Sequence, residues 1–300
     1  MRHTARLAFA ILTLLPGTIL ADTRFSDDVD VRTYLPELVD YEHTVTVRQM
    51  VHRAAGMGDY DHPIFTKADG SEVRFGNEDY LTNDEFHDLV IKGSLAIEPG
   101  TEFLYSNLGY YLLSKVVARV SGQSLRDFAA ANIFGPLGMA SSQFVDNVNL
   151  VIDHRADGYR QIDDGSWQIY MTNNSWVGDG GVYTTIDDFI AWDRNFYSNR
   201  LGGGSSLIAL VETPMAGLVE RTSKGPVATA YAFGMYIEEL FEHKVIRHGG
   251  GWVGFSTRYA RFPELELSVV VFCNSDELDA YEYSDKLTEV AVKAFAATAE

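Results

Sequence analysis

One cysteine in 300 residues, Cys273, leaves the chain without an internal disulfide or a thiolate metal site. It stands in the strand-like run "LSVVVFCNS" and reads as a small buried apolar side chain rather than a reactive thiol. Positive charge is scarce as well. Lys and Arg number 24 against 42 Asp and Glu, a net charge of −18 spread along the chain rather than gathered in a tail. Phosphate backbones and anionic membranes would be repelled, so nucleic acid is disfavoured as a partner, while neutral and cationic ligands stay open. No apolar stretch after residue 21 is long enough to cross a bilayer. A His-Glu-x-x-His spacing is missing, so His243 and His248 form no zinc motif, and no cofactor is implied. His52, His62, His87 and His154 read as surface or hydrogen-bonded residues, and the carboxylate runs "DDVD" and "IDD" as turns and helix caps. Internal repeats, low-complexity tracts and flexible linkers are absent.

An apolar content of 46% is ample for the core of one large domain or two smaller ones. The start, "MRHTARLAFAILTLLPGTILA" (1–21), sets Arg2 and Arg6 before an apolar stretch and ends on the small residue Ala21. It reads as a secretory signal, although Ile19 suits the cleavage site poorly; the competing reading is a buried helix of the folded domain. Apolar spacing predicts helices over 45–57, over "TNDEFHDLVI" with Thr82 or Asn83 as cap, and over 105–120 with Gly122 as its stop. "SLRDFAAANIF" is a further helix, capped by Ser124 and ended by Gly135 and Pro136, and a Thr-capped helix follows Gly180 and Gly181. Residues 58–80 and 141–178 read as loops.

Beyond residue 228 the pattern turns to period two in "YAFGMYIEEL", "HKVIRHGG", "WVGFSTRYARF" and "ELSVVVFCN", with "PELE" (263–266) as a tight connection. A last helix over 279–298 puts Leu287, Val290, Ala291 and Ala294 on one face. The fold expected is α/β of the α+β type: a mainly helical region over 22–227, then an antiparallel sheet and C-terminal helix over 228–300.

Two stretches carry chemistry. "LYSNLGYYLL" (104–113) sets Tyr105, Ser106 and Asn107 at the mouth of an apolar helix, where the plain reading is a cap beside a surface tyrosine. "RHGGGWVGFS" (247–256) puts three glycines at a strand end, either a bend or a place where backbone lies close to a ligand or another segment. With their surroundings, "IEPGTEFLYSNLGYYLLSKVVARVSGQSLRDFAAANIFGPLGM" (97–139), "GGVYTTIDDFIAWDRNFY" and "HGGGWVGFSTRYARFPE", they make the chain resemble the β-lactamase-related serine hydrolases. That family includes class C β-lactamases, D-alanyl-D-alanine carboxypeptidases, D-aminopeptidases and some esterases.

The resemblance implies a β-lactamase and penicillin-binding-protein-like fold, with a cleft between helices and sheet. It implies hydrolysis of an amide, lactam or ester through a serine acyl-enzyme, on a small-molecule or peptide substrate of acyl-D-amino acid type. The start at 1–21, read as a secretory signal, adds export to the bacterial periplasm or medium. Carried over by position, Tyr105 is the acid/base partner and Asn107 the substrate-orienting amide. His248 with Gly249 and Gly250 forms the third motif, and the N–H near Gly251 is half of an oxyanion hole.

The pattern breaks at its centre. The family's nucleophile and base come as Ser-x-x-Lys, and no serine or threonine here has a lysine three residues on. Where relatives carry a His-Thr-Ser-Gly-like stretch, this chain has Arg53, Ala54, Ala55 and Gly56, which removes hydroxyls that steady the cleft. An N-terminal helix and strands of the family are also missing, so an unpaired sheet edge and self-association are expected. Three readings follow: a hydrolase whose Ser-x-x-Lys lies upstream of this start, a non-catalytic exported peptide- or peptidoglycan-binding relative, or a hydrolase using Ser106. The third has no lysine placed beside its hydroxyl in the sequence.

Overall fold

The computed structural model describes residues 26–298, and the apolar start at 1–21 lies outside them. Thr46 caps the first α-helix among the described residues, α1 (Val47–Val51), accepting from the Gln49 N–H while the Gln49 side chain accepts from the N–H of Thr46. The helix expected over 45–57 ends here. Arg53 adopts the left-handed conformation at φ +54°, which takes the chain out of the helix. Gly56 also needs that region (φ +72°), and a Cβ there would lie 2.1 Å from the Ile97 carbonyl oxygen. Thr82, not Asn83, caps α2 (Asn83–Val90), in a reciprocal pair with Glu85.

The central helix α3 (Asn107–Ser121) is capped by Ser106 and closed by left-handed Gly122. Its Leu108, Tyr111, Leu112 and Val116 are buried in the main core. Ser124 caps α4 (Leu125–Ala129). The chain runs on through a wider turn at Ala130–Phe134 and stops at Gly138, three residues beyond the expected Gly135. Pro136 does not end it, because in the first turn of the last segment no intrahelical N–H is required of it. Thr185 caps α5 (Ile186–Arg194), as the sequence suggested. Helix α6 (Gly204–Val211) and the hairpin of Val219–Thr222 with Gly225–Ala228 had no clear signal in the sequence.

Five strands follow: β1 (Tyr231–Ala232), β2 (Met235–Leu240), β3 (His243–Trp252), β4 (Phe255–Phe262) and β5 (Leu267–Cys273). They form an antiparallel meander in the spatial order β5-β4-β3-β2-β1. β2 pairs with β3 only as far as Arg247. From His248 onward β3 is held by β4 alone, with His248 opposite Tyr259 and Gly250 opposite Thr257. β5 is an edge strand, and no strand pairs with its outer side among the described residues.

One face of the sheet meets the helical region, where the Phe189 ring of α5 packs edge-on to Tyr259 and Phe272. The other face carries α7 (Ala280–Thr298). The apolar spacing in α7 points the wrong way. Ala280, Ser284 and Thr288 are buried, whereas Leu287 and Val290 are 52% and 69% exposed. Small side chains on the inner face let the helix lie close to the strands. The closeness shows at Gly249, where a Cβ would come within 2.4 Å of the Tyr281 ring.

Candidate ligand-binding site

The start of α3 and the free side of β3 meet at one cluster. Tyr105 and His248 stack with ring centroids 6.2 Å apart, and Tyr236 stacks on His248 at 5.8 Å. Tyr231 approaches the imidazole edge-on at 6.0 Å. The Arg53 guanidinium lies beneath them, 3.5 Å from the Tyr105 ring centroid and 4.3 Å from that of Tyr110. Its Nε donates to the Tyr231 hydroxyl at 2.9 Å, and Nη1 donates to the Ser106 carbonyl. Arg53 is only 2% exposed. Burial works against its charge, but the three tyrosines around it more than restore the charged form.

The polar residues before α3 divide their tasks. Ser106 is fully engaged: its hydroxyl donates to the Gly58 carbonyl at 2.7 Å and accepts from the Gly109 N–H at 3.0 Å. Asn107 is clamped by Asp59, whose two carboxylate oxygens accept from the Asn107 N–H and from its Nδ2, each at 3.0 Å. A carboxylate at this helix start is favoured by the helix dipole. Burial nevertheless pushes the Asp59 carboxyl above its usual range, against the pull of the Asn107 N–H and Arg53.

Four buried polar atoms in this cluster have no hydrogen-bond partner among the described residues: Arg53 Nη2, the Tyr105 hydroxyl, Asn107 Oδ1 and His248 Nε2. Orphans of this kind are rare in folded proteins, and four in one place mark a site. His248 Nδ1 lies 2.7 Å from the Gly249 carbonyl oxygen, which can only accept, so Nδ1 carries the proton. Burial, with the Arg53 and Arg258 charges, lowers the imidazole to about 3. Nε2 is therefore a bare acceptor at neutral pH. Burial likewise raises the Tyr105 phenol well above its ordinary value, although Arg53 opposes this. It stays protonated and is a donor, not a base. The cluster offers two donors, Arg53 and Tyr105, and two acceptors, Asn107 and His248, a set suited to amide groups.

Tyr105 and His248 thus come together as the sequence suggested, and Asn107 joins them through the segment that carries Arg53 and Asp59. The three glycines separate. Gly249 makes room for Tyr281, while Gly250 and Gly251 line a cavity of about 740 Å³ that Tyr105, Asn107 and His248 do not line. Cys273 lines the same cavity and is half-exposed rather than buried, a correction to its reading as core. Arg53 appeared in the sequence only as a departure from a pattern. Asp59, Tyr231 and Tyr236 gave no signal.

Residues 12–292 match the family model described as Beta-lactamase. A penicillin-binding protein of Bacillus subtilis is 26% identical over 256 residues, covering 79% of this chain and 53% of that protein. D-aminopeptidases of Gluconobacter oxydans and Cereibacter sphaeroides are each 27% identical, over 82% and 94% of this chain and 44% and 51% of their own lengths. The chain spans about half the length of these curated relatives. The octameric penicillin-binding protein homologue of Pyrococcus abyssi superimposes with a TM-score of 0.76 at 20% identity, over 95% of this chain and 63% of that one. The D-amino acid amidase of Ochrobactrum anthropi, solved with D-phenylalanine, gives 0.73 at 17% identity, over 97% and 84%. At such identities these neighbours establish the fold, a mixed helical and antiparallel-sheet architecture shared with penicillin-binding proteins. The family match, running through α3, β3 and the cluster between them, places this chain in the beta-lactamase family.

Proposed function

We propose that this chain binds an acyl-D-amino acid or short D-peptide at the Tyr105–His248 cluster and carries out no acyl transfer of its own. The observation that carries the reading is a contrast. Four polar atoms of the cluster have no partner among the described residues, yet no Ser-x-x-Lys exists in the chain and the Ser106 hydroxyl is committed at both its donor and acceptor sides. A hydroxyl becomes a competent nucleophile when an adjacent base takes its proton, and the protonated Tyr105 phenol cannot do so. The relatives' names supply the D-amino character of the ligand, and the net charge of −18 disfavours a free carboxylate at its end relative to an amide. Arg53, Tyr105, Asn107 and His248 are the groups assigned to hold it.

Export rests on the arginine-led apolar start. The family match from residue 12 overlaps that segment and supports its alternative reading as part of the domain. A second reading of the function places Ser-x-x-Lys upstream of Met1 in the gene, and the DNA before the start codon decides it.

The 300-residue chain is expected to hydrolyse neither a chromogenic cephalosporin nor a nitrophenyl ester above background, and to take no label from a fluorophosphonate probe. Calorimetric titration with N-acetyl-D-alanyl-D-alanine amide is expected to show saturable binding that Asn107→Ala weakens. A covalent adduct mapped to a serine, or turnover abolished by Tyr105→Phe, overturns the non-catalytic reading.

A further inference from the structure

The cavity lined by Gly250 and Gly251 lies apart from the cluster, since none of Tyr105, Asn107 and His248 lines it. Phe134, Met139, Trp176, Phe189 and Trp192, all buried residues, make its deep end, and the loop Asp153–Ala156 forms an exposed rim. At about 740 Å³ it falls within the range of small-molecule sites, roughly 300–1,000 Å³. Polar side chains interrupt the apolar wall, Ser141, Thr172, Asn174, Asp179, Thr184 and Thr257 among them. Asn174 is 8% exposed, and its Nδ2 has no partner among the described residues. An amide nitrogen can only donate, so it calls for an acceptor such as a carbonyl oxygen.

We propose that this cavity binds an extended apolar acyl or aryl chain bearing an amide carbonyl, with the chain among the aromatic rings and the carbonyl accepting from Asn174 Nδ2. A neutral amide is preferred to a free fatty acid, because the protein's charge of −18 and Asp153 at the rim oppose a carboxylate, while the rim cation Arg155 is already paired with Asp157 at 3.8 Å. Removing apolar surface from water drives the association, and the single hydrogen bond sets the depth of insertion. The assignment rests on the cavity alone and is independent of dipeptide binding at Tyr105 and His248.

The sequence supplies two reporters. Three of the four tryptophans, Trp176, Trp192 and Trp252, line the cavity, and so does the sole cysteine. N-dodecanoylglycinamide, below its micelle concentration, is expected to change tryptophan emission saturably and to slow modification of Cys273 by a thiol reagent at pH 8.5. N-acetylglycinamide, with the same head and no chain, should do neither. Val182→Phe, which fills the cavity, is expected to abolish the response and to leave binding of N-acetyl-D-alanyl-D-alanine amide intact. Asn174→Leu should weaken the long-chain probe about tenfold. It keeps the proposal testable if Val182→Phe fails to fold by circular dichroism. Equal responses to the two probes, or a Cys273 already shielded without ligand, overturn the proposal. So does long-chain binding that survives Val182→Phe or Asn174→Leu unchanged.

Discussion

Arg53→Ala is expected to destabilise the protein by about 3–5 kcal/mol, read as a shift in the urea unfolding midpoint at constant slope. Three losses combine. The substitution empties the space of a large, fully buried side chain. It strips the Tyr231 hydroxyl and the Ser106 carbonyl of their donor. It also removes the cation that packs against the Tyr105 and Tyr110 rings. Alanine at φ +54° keeps the left-handed strain, so nothing offsets these losses. Arg53→Lys should fall between the two, because an ammonium keeps the charge without the planar fork that reaches two acceptors at once. A loss below about 1 kcal/mol for the alanine variant would show that the guanidinium is not structural, contrary to the geometry.

Acid should destabilise the protein through His248, and the sign follows from its depressed value. In the unfolded chain the imidazole binds a proton below about 6.5, whereas in the folded protein it stays neutral down to about 3. Between those limits the unfolded state holds the extra proton, so stability is complete above 6.5 and falls as pH drops, by up to about 1.4 kcal/mol per pH unit. Asp59 acts in the opposite direction: its raised carboxyl favours the folded state at low pH, a contribution lost as pH rises through its folded value. Comparing the wild type with His248→Asn separates the two, since both proteins keep Asp59. From pH 7 to pH 5 the wild type is expected to lose about 2 kcal/mol more than the variant in urea unfolding. Parallel curves would mean that His248 titrates normally and that the imidazole is not held neutral by burial.

Which features the sequence disclosed depended on how local their causes are. Caps such as Thr82, Ser124 and Thr185 act within three residues of themselves and were readable, as was the period-two alternation of β2 to β5. The turn residue Arg53 was not, because its left-handed backbone is imposed by contacts from far away. Its partner Tyr231 is 178 residues distant, and nothing in either segment announces the other. α7 misled for a related reason. Hydrophobic spacing assumes that the largest apolar residues face inward, but the sheet takes Ala280, Ser284 and Thr288 because they permit close approach. Tyr105 and His248 were found through the family resemblance, and Asp59 was missed because a lone aspartate after glycine reads as an ordinary turn.

Among the described residues no strand covers the outer side of β5, and this sets the terms on which copies of this molecule tolerate one another. Leu267–Cys273 contains neither proline nor any ionised side chain, the usual guards against strand addition. What holds neighbours apart is long-range repulsion from a charge of −18, and its reach shrinks to about 8 Å at physiological ionic strength. Colloidal behaviour should therefore be governed by electrolyte: dilute buffers preserve dispersed particles, and added salt lets ladder upon ladder grow.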